Sequence, residues 1–195
     1  GISAVNRIAI DVSATIDGDG ATGIHATGIS LVADDKSKVN ALGDAISIAA
    51  SFGFAGGALS VGVALAENKI DNHVEAAIRN TVDIDATSGG ISVLAKESNR
   101  IEATTVAAAA AVSITLGAAI SGGAASALNT ITSRTSAWIE DSDSVEASQG
   151  VTVAAEDTAT IDAEILAVSA AVGYVSIAVG LTLADNQALN TVSAR

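Results

Sequence analysis

Residues able to do chemistry are sparse in this chain, and most of them stand at bends. Gly18-Asp19-Gly20-Ala21-Thr22-Gly23 matches the G-x-G-x-x-G pattern that cradles a dinucleotide pyrophosphate. That chemistry needs the glycines between a strand and a helix, so that the phosphates meet a helix N-terminus. Here strand-like alternation flanks the run on both sides, so it reads as a corner and no cofactor is expected. Asp17 and Asp19, and separately Glu140, Asp141 and Asp143, gather the oxygen ligands a hard cation such as calcium takes. Neither group follows the calcium loop or the Gly-rich nonapeptide of calcium-binding repeats, and a solvated acidic turn is the competing reading.

His25 and His73 stand alone, without ligand spacing and without a serine in a nucleophile elbow, and both are expected to face solvent. The serines recur at strand positions, which suits sheet hydrogen bonding and not nucleophilic attack. With no cysteine there is no thiolate nucleophile, no disulfide and no sulfur metal site. The chain therefore reads as a non-enzyme. An enzymatic reading would require Asp83, Asp85, Glu146 and their neighbours to converge in a cleft.

The elements that would position these groups follow from composition and period. A formal charge of −13 argues against nucleic acid and anionic membrane surfaces as partners. Ala, Val, Ser and Gly supply much of the apolar content, which suits a thin, flat core between closely spaced sheets and not a wide globular one. Methionine is absent, so a segment of a longer chain is expected, and no basic flank precedes an apolar run at the start.

One window recurs around Asn6, Asn68, Asn129 and Asn186. Two positions on stand Ile8, Ile70, Ile131 and Ala188, and eight on stand Ala14, Ala76, Ala137 and Ala194. A fixed period near sixty residues is the mark of a repeat architecture. Taking Gly28, Gly90 and Gly150 as boundaries divides the chain into a partial copy 1–27, copies 28–89 and 90–149, and a partial copy 150–195. The asparagines read either as an amide ladder along a stack or as turn residues at a bend.

Each copy alternates with period two, as half-buried strands do. Ile8, Ile10, Val12, Ala14 and Ile16 share one parity, and the alternation ends in an acidic corner at Asp17 to Gly20. The corresponding corners are Arg79-Asn80-Thr81 and Glu140 to Ser144. After the boundary glycine come Ile29/Ile91/Val151 and Leu31/Val93/Val153, then an acidic position at Asp35, Glu97 and Asp157. Lys38 and Arg100 follow three residues later, and exposed ion pairs with those acids are expected.

Then come charge-free runs: 45–66, 103–133 and 165–184, punctuated by Gly53, Gly56, Gly57, Gly117, Gly122, Gly123, Gly173 and Gly180. A transmembrane helix and an Ala-rich helix over Thr104 to Ala111 are alternatives. The preferred reading is a pair of strands joined near the glycines, buried on both faces inside a fibre or between copies.

The Ser3-Ala4-Val5-Asn6-Arg7-Ile8 and Gly150-Val151-Thr152-Val153 segments resemble repeats of very large bacterial surface proteins, the filamentous-haemagglutinin-like adhesin β-solenoids. The resemblance implies an extracellular location at the bacterial cell surface and a scaffolding or adhesive role. The expected fold is all-β, a β-solenoid of parallel stacked rungs, with no membrane insertion. Its partners would be other copies of itself or adjacent repeats of the same chain. A second reading is an adhesin stalk engaging surface glycans. Sugar binding usually wants exposed rings, and Trp138 and Tyr174 are the candidates.

Overall fold

A computed structural model describes residues 1–52, 56–114 and 116–195. Gly53 and Phe54, in the first glycine-punctuated run, lie outside the described residues, as does Thr115. The described chain is all-β, with nine strands and no helix: β1 (Ile2–Asp17), β2 (Ile24–Ala26), β3 (Ile29–Asp35), β4 (Lys38–Ser51), β5 (Ala58–Ala86), β6 (Ile91–Ser113), β7 (Ala118–Ala147), β8 (Val151–Val172) and β9 (Val175–Ala194). One sheet has the order β1-β5-β7-β9, with β2 beside β5, and the other carries β3 and β4 beside β6, followed by β8. Every pairing is parallel.

The register is set by the sequence period. Ile8 lies beside Ile70 and Ile70 beside Ile131; Leu31 lies beside Val93 and Val93 beside Val153. The two sheets face one another, so the inner strands β5, β6 and β7 bury alternate residues against the opposite sheet. Inner members of the expected ladders, Ile70, Ile131, Val74, Ala76, Ala137 and Val93, are fully buried.

The core tapers along the strands. Around the boundary glycines it is built from bulky Leu31, Val74, Ile78, Ile84, Ile91 and Val93. Farther along it narrows to Val39, Ile70, Ile101 and Ile131, then to Ala45, Ala64, Ala107 and Ala125, and ends on Ala58, Ala111 and Ala119. At the thin end the sheets touch through hydroxyls: Ser60 Oγ donates to the Ser47 carbonyl at 2.8 Å, and Ser121 Oγ to the Ala109 carbonyl at 2.7 Å. A serine can bridge two sheets directly only where they approach much more closely than the usual ~10 Å. This close approach accounts for the Ala, Ser and Gly of the charge-free runs.

Thr104 to Ala111 lies in strand β6, in line with the preferred strand reading of the charge-free runs, and no described helix is long and apolar enough to cross a membrane. Two expectations are corrected. The corners at Asn80 and Asp141 do not break their strands, because β5 and β7 run through them with left-handed residues at φ 56° and 52°. The charge-free arms are buried on one face only. Small residues point inward while Leu42, Ile46, Ile48, Leu59, Val61, Leu166 and Val168 stand exposed, since the narrow gap between the sheets cannot admit them.

Gly122 and Gly123 isolate this constraint, being neighbours on opposite faces of β7. A Cβ on Gly123 would meet the Val168 carbonyl oxygen at 2.9 Å, whereas one on Gly122 would meet nothing within 4 Å. Gly123→Ala is expected to lower unfolding stability by about 1–3 kcal/mol through overpacking. Gly122→Ala should leave it within about 0.5 kcal/mol. Urea denaturation of both variants, followed by circular dichroism, measures the difference.

Candidate functional site

The polar groups the fold draws together lie inside it, in two columns. The first is the asparagine series. Asn6 Nδ2 donates to Asn68 Oδ1, Asn68 Nδ2 to Asn129 Oδ1, and Asn129 Nδ2 to Asn186 Oδ1, each at 2.8 Å. All four sit within strands and not at a bend, and Asn68 and Asn129 are fully buried. A primary amide carries both donors and an acceptor, so identical side chains one strand apart satisfy one another without a different partner.

The second column is a carboxylate row between the sheets. Asp35, Glu97 and Asp157 are neighbours across β3, β6 and β8. Asp35 is 7 % exposed and Glu97 3 %, so the surface ion pairs expected with Lys38 and Arg100 do not form. Strand parity is the reason: residues three apart point to opposite faces. Lys38 and Arg100 lie outside and meet Glu102 at 3.0 Å and 2.5 Å. The row is served instead by amides and hydroxyls. Asn72 Nδ2 donates to Asp35 Oδ2 at 2.7 Å, Thr135 Oγ1 to Glu97 Oε2 at 2.8 Å, and Asn190 Nδ2 to Asp157 Oδ1 at 2.9 Å. Asn99 bridges the sheets, donating to Glu97 and to Ser133 Oγ. Among the described residues Asp157 Oδ2 is buried without a hydrogen-bond partner. Burial first, and then the Glu97 charge, push Asp157 up to about 6, while nearby Ser133 and Thr135 hydroxyls pull the other way without reversing it.

The residues singled out for metal binding are spread along the corner edge. Asp17 meets Arg79 at 2.9 Å and Asn80 at 2.7 Å, which hold its carboxyl below the usual range. Asp19 accepts from the Ala21 and Thr22 backbone at 2.9 and 2.8 Å and closes its own turn. Glu140 lies on β7, two strands from Asp17, and pairs with Arg195 at 3.2 Å. Asp141 is the left-handed residue of its corner, and Asp143 follows on the same strand. Among the described residues no group of three or more His, Asp or Glu side chains is placed to hold a metal.

His25 stands between Asp83 at 3.3 Å and Asp85 at 3.8 Å, with Glu146 beside Asp85 in the next strand. These four residues lie along the outside of the sheet. His73 lies near Glu75 at 3.4 Å and, with Asp11 and Arg134, lines an open hollow on the same sheet. The glycine-rich run 18–23 joins two strands with no helix after it. Trp138 is half-buried beneath the Arg195 guanidinium, 5.8 Å from its centroid, whereas Tyr174 and Phe52 are exposed at the thin end.

No family model, curated protein or solved structure matches the chain.

Two measurements probe the columns. Asn129→Ala leaves a buried donor on Asn68 unpaired, while the freed acceptor on exposed Asn186 can turn to water, so denaturation should show a loss of about 1–3 kcal/mol. For Asp157 the folded protein holds its proton more tightly than the unfolded chain, whose value is near 3.8. That contribution is fully present below about pH 4 and is lost as pH rises through about 6. Asp17, Asp19 and Glu102 act oppositely. Their carboxyls are held below the usual range, so they cost stability only as pH falls through those lowered values. Asp157→Asn should therefore be more stable than the parent at pH 7 and lose the decline between about pH 4 and 6. Thermal melts across that window would show it.

Proposed function

We propose that the chain is a β-solenoid segment, with about sixty residues forming each broad rung, and a structural repeat of an extracellular bacterial filament or surface fibre. The observation that carries this reading is the meeting of like with like along the first sheet, asparagine on asparagine at all three boundaries from β1 to β9 and isoleucine on isoleucine from Ile8 through Ile70 to Ile131. Such a unit presents the same groups to the next rung as to the previous one, so rungs add without new contacts having to be invented. Growth would proceed by end-to-end stacking, whether the next rung comes from the same chain or from another copy. The polar groups support a scaffold more than a catalyst, because the inner asparagines and the Asp35 and Glu97 carboxylates are buried and hydrogen-bonded to neighbouring side chains. The cell-surface location rests on the likeness of the repeat unit to surface-protein repeats. Glycan engagement by a stalk is the second reading, and Trp138 stacked under Arg195 favours the structural one over it.

Negative-stain and cryo electron microscopy of purified protein, in calcium and in chelator, tests this. Filaments with an axial repeat near 4.8 Å, unchanged by chelator, are the expected outcome. Discrete short rods would point to an adhesin fragment instead. Filaments that dissolve in chelator would assign calcium to the acidic corners at Asp17 and Asp19 or at Glu140, Asp141 and Asp143.

A further inference from the structure

The thin end of the molecule leaves two sheet faces apolar and uncovered. On the outer face of β4, β6 and β8, Ile46 and Ile48 are each 76 % exposed, beside Ala108 and Ala110 and then Val168. On the opposite outer face, Leu59 and Val61 on β5 are exposed likewise. No charge interrupts either face between Ala45 and Ala66, so the charge that keeps the chain soluble lies on the other half.

We propose that the arms of separate copies of this chain pack face on face, sheet against sheet, a lateral contact distinct from the in-register pairing along the stack. The occupant is argued from shape, area and charge. Ile46 and Ile48 form a ridge beside the trough at Ala108 and Ala110, the relief that aligned sheets interdigitate. Each face measures roughly 30 Å by 14 Å, on the order of 400 Å². One face is thus about half the ~800 Å² per partner of a standard interface, the size of a weak, concentration-dependent contact. Each arm can make that contact on both sides, with arms of the same kind, and the area grows with each added rung. Antiparallel overlap, with the thin ends pointing opposite ways, holds the acidic halves more than a Debye length (~8–10 Å) apart. A bilayer suits these faces less well, since lipid leaves the backbone groups of a sheet edge unsatisfied. The inference stands on the arm faces alone and does not require the filament reading.

The chain has no cysteine, so single cysteines report contact directly. Ile48→Cys should form disulfide-linked dimers on mild oxidation, and Thr158→Cys, exposed on the charged half, should not. Sedimentation velocity should show association that rises with concentration and with sulfate. Ile48→Lys combined with Val168→Lys should weaken it by about tenfold or more while circular dichroism and melting temperature stay unchanged. A parent protein that remains monomeric, equal cross-linking at both cysteines, or undiminished association of the double variant would overturn the proposal. So would flotation of monomeric protein with phosphatidylcholine vesicles that the double variant abolishes, which would assign the faces to lipid. Filament formation is read separately by microscopy, where the double variant would give thinner, unbundled filaments if stacking survives.

Discussion

Parallel, in-register pairing forces every side chain to sit one strand spacing from its own counterpart, and each column must tolerate that company. Aliphatic columns do so at once: Ile70 on Ile131 and Val93 beneath Leu31 simply pack. Amide columns do better, because an asparagine is both donor and acceptor and passes its hydrogen bond along the stack. Charged columns are the difficulty, since identical charges about 4.8 Å apart repel. The outer faces solve it with neighbouring columns of opposite sign. Lys38 reaches Glu102 at 3.0 Å and Arg100 reaches Asp162 at 3.9 Å, so cations and acids pair across strands. These contacts are exposed and contribute about 0–1 kcal/mol each, relieving repulsion more than adding stability.

The buried acid row cannot use that solution, because no cation shares the interior with it. Asn72, Asn99, Asn190 and Thr135 donate from beside and opposite the row, so the two sheets become tied through charge-assisted hydrogen bonds. Removing an acid and removing its amide are then unequal operations. Loss of the amide strands a buried charge, whereas neutralising the acid keeps the hydrogen bond and drops the repulsion. The row also separates the cluster beside the boundary glycines from the one built on Val39, Ile70, Ile101 and Ile131, placing a polar seam between two apolar parts of the core.

Much of this was legible in the sequence. The recurrence around Asn6, Asn68, Asn129 and Asn186 predicts the observed register, and the boundary glycines fall just before the strands of the second sheet. The acid row was misread because carboxylates default to the surface. Yet Leu31, Ala33, Asp35, Ser37, Val39 and Ala41 share one parity, and that parity carried the answer. The arms differ from expectation for a related reason. Lack of charge does not by itself mean burial on both faces; the informative signal is size, with Ala45, Ala107 and Gly123 on one parity and Ile46, Val106 and Gly122 on the other. Gly122 interrupts even that signal, so contact between the sheets was needed to resolve it. The left-handed residues Asn80 and Asp141 stand at equivalent positions of β5 and β7, but they differ in type and the first copy has a longer loop there, so no shared residue marked the conformation.

Thickness and hydration are coupled in this design. Where the sheets are far apart, Ile and Val fill the gap, the outer faces are charged and water covers them. Where the sheets nearly touch, no bulky group fits inside, so the aliphatic residues that a strand needs for its β-propensity are displaced to the outside. An exposed apolar arm is then a geometric consequence of a thin core. The proposed stacking and the proposed lateral contact would give such a protein two distinct directions of growth. Hydrogen bonds act along the stack, where the amide ladder enforces register, and apolar contact acts across it, where flat faces enforce little register. In the proposed assembly the first is directional and the second sums with the number of rungs, so the lateral contact that single copies already make strengthens as stacking proceeds.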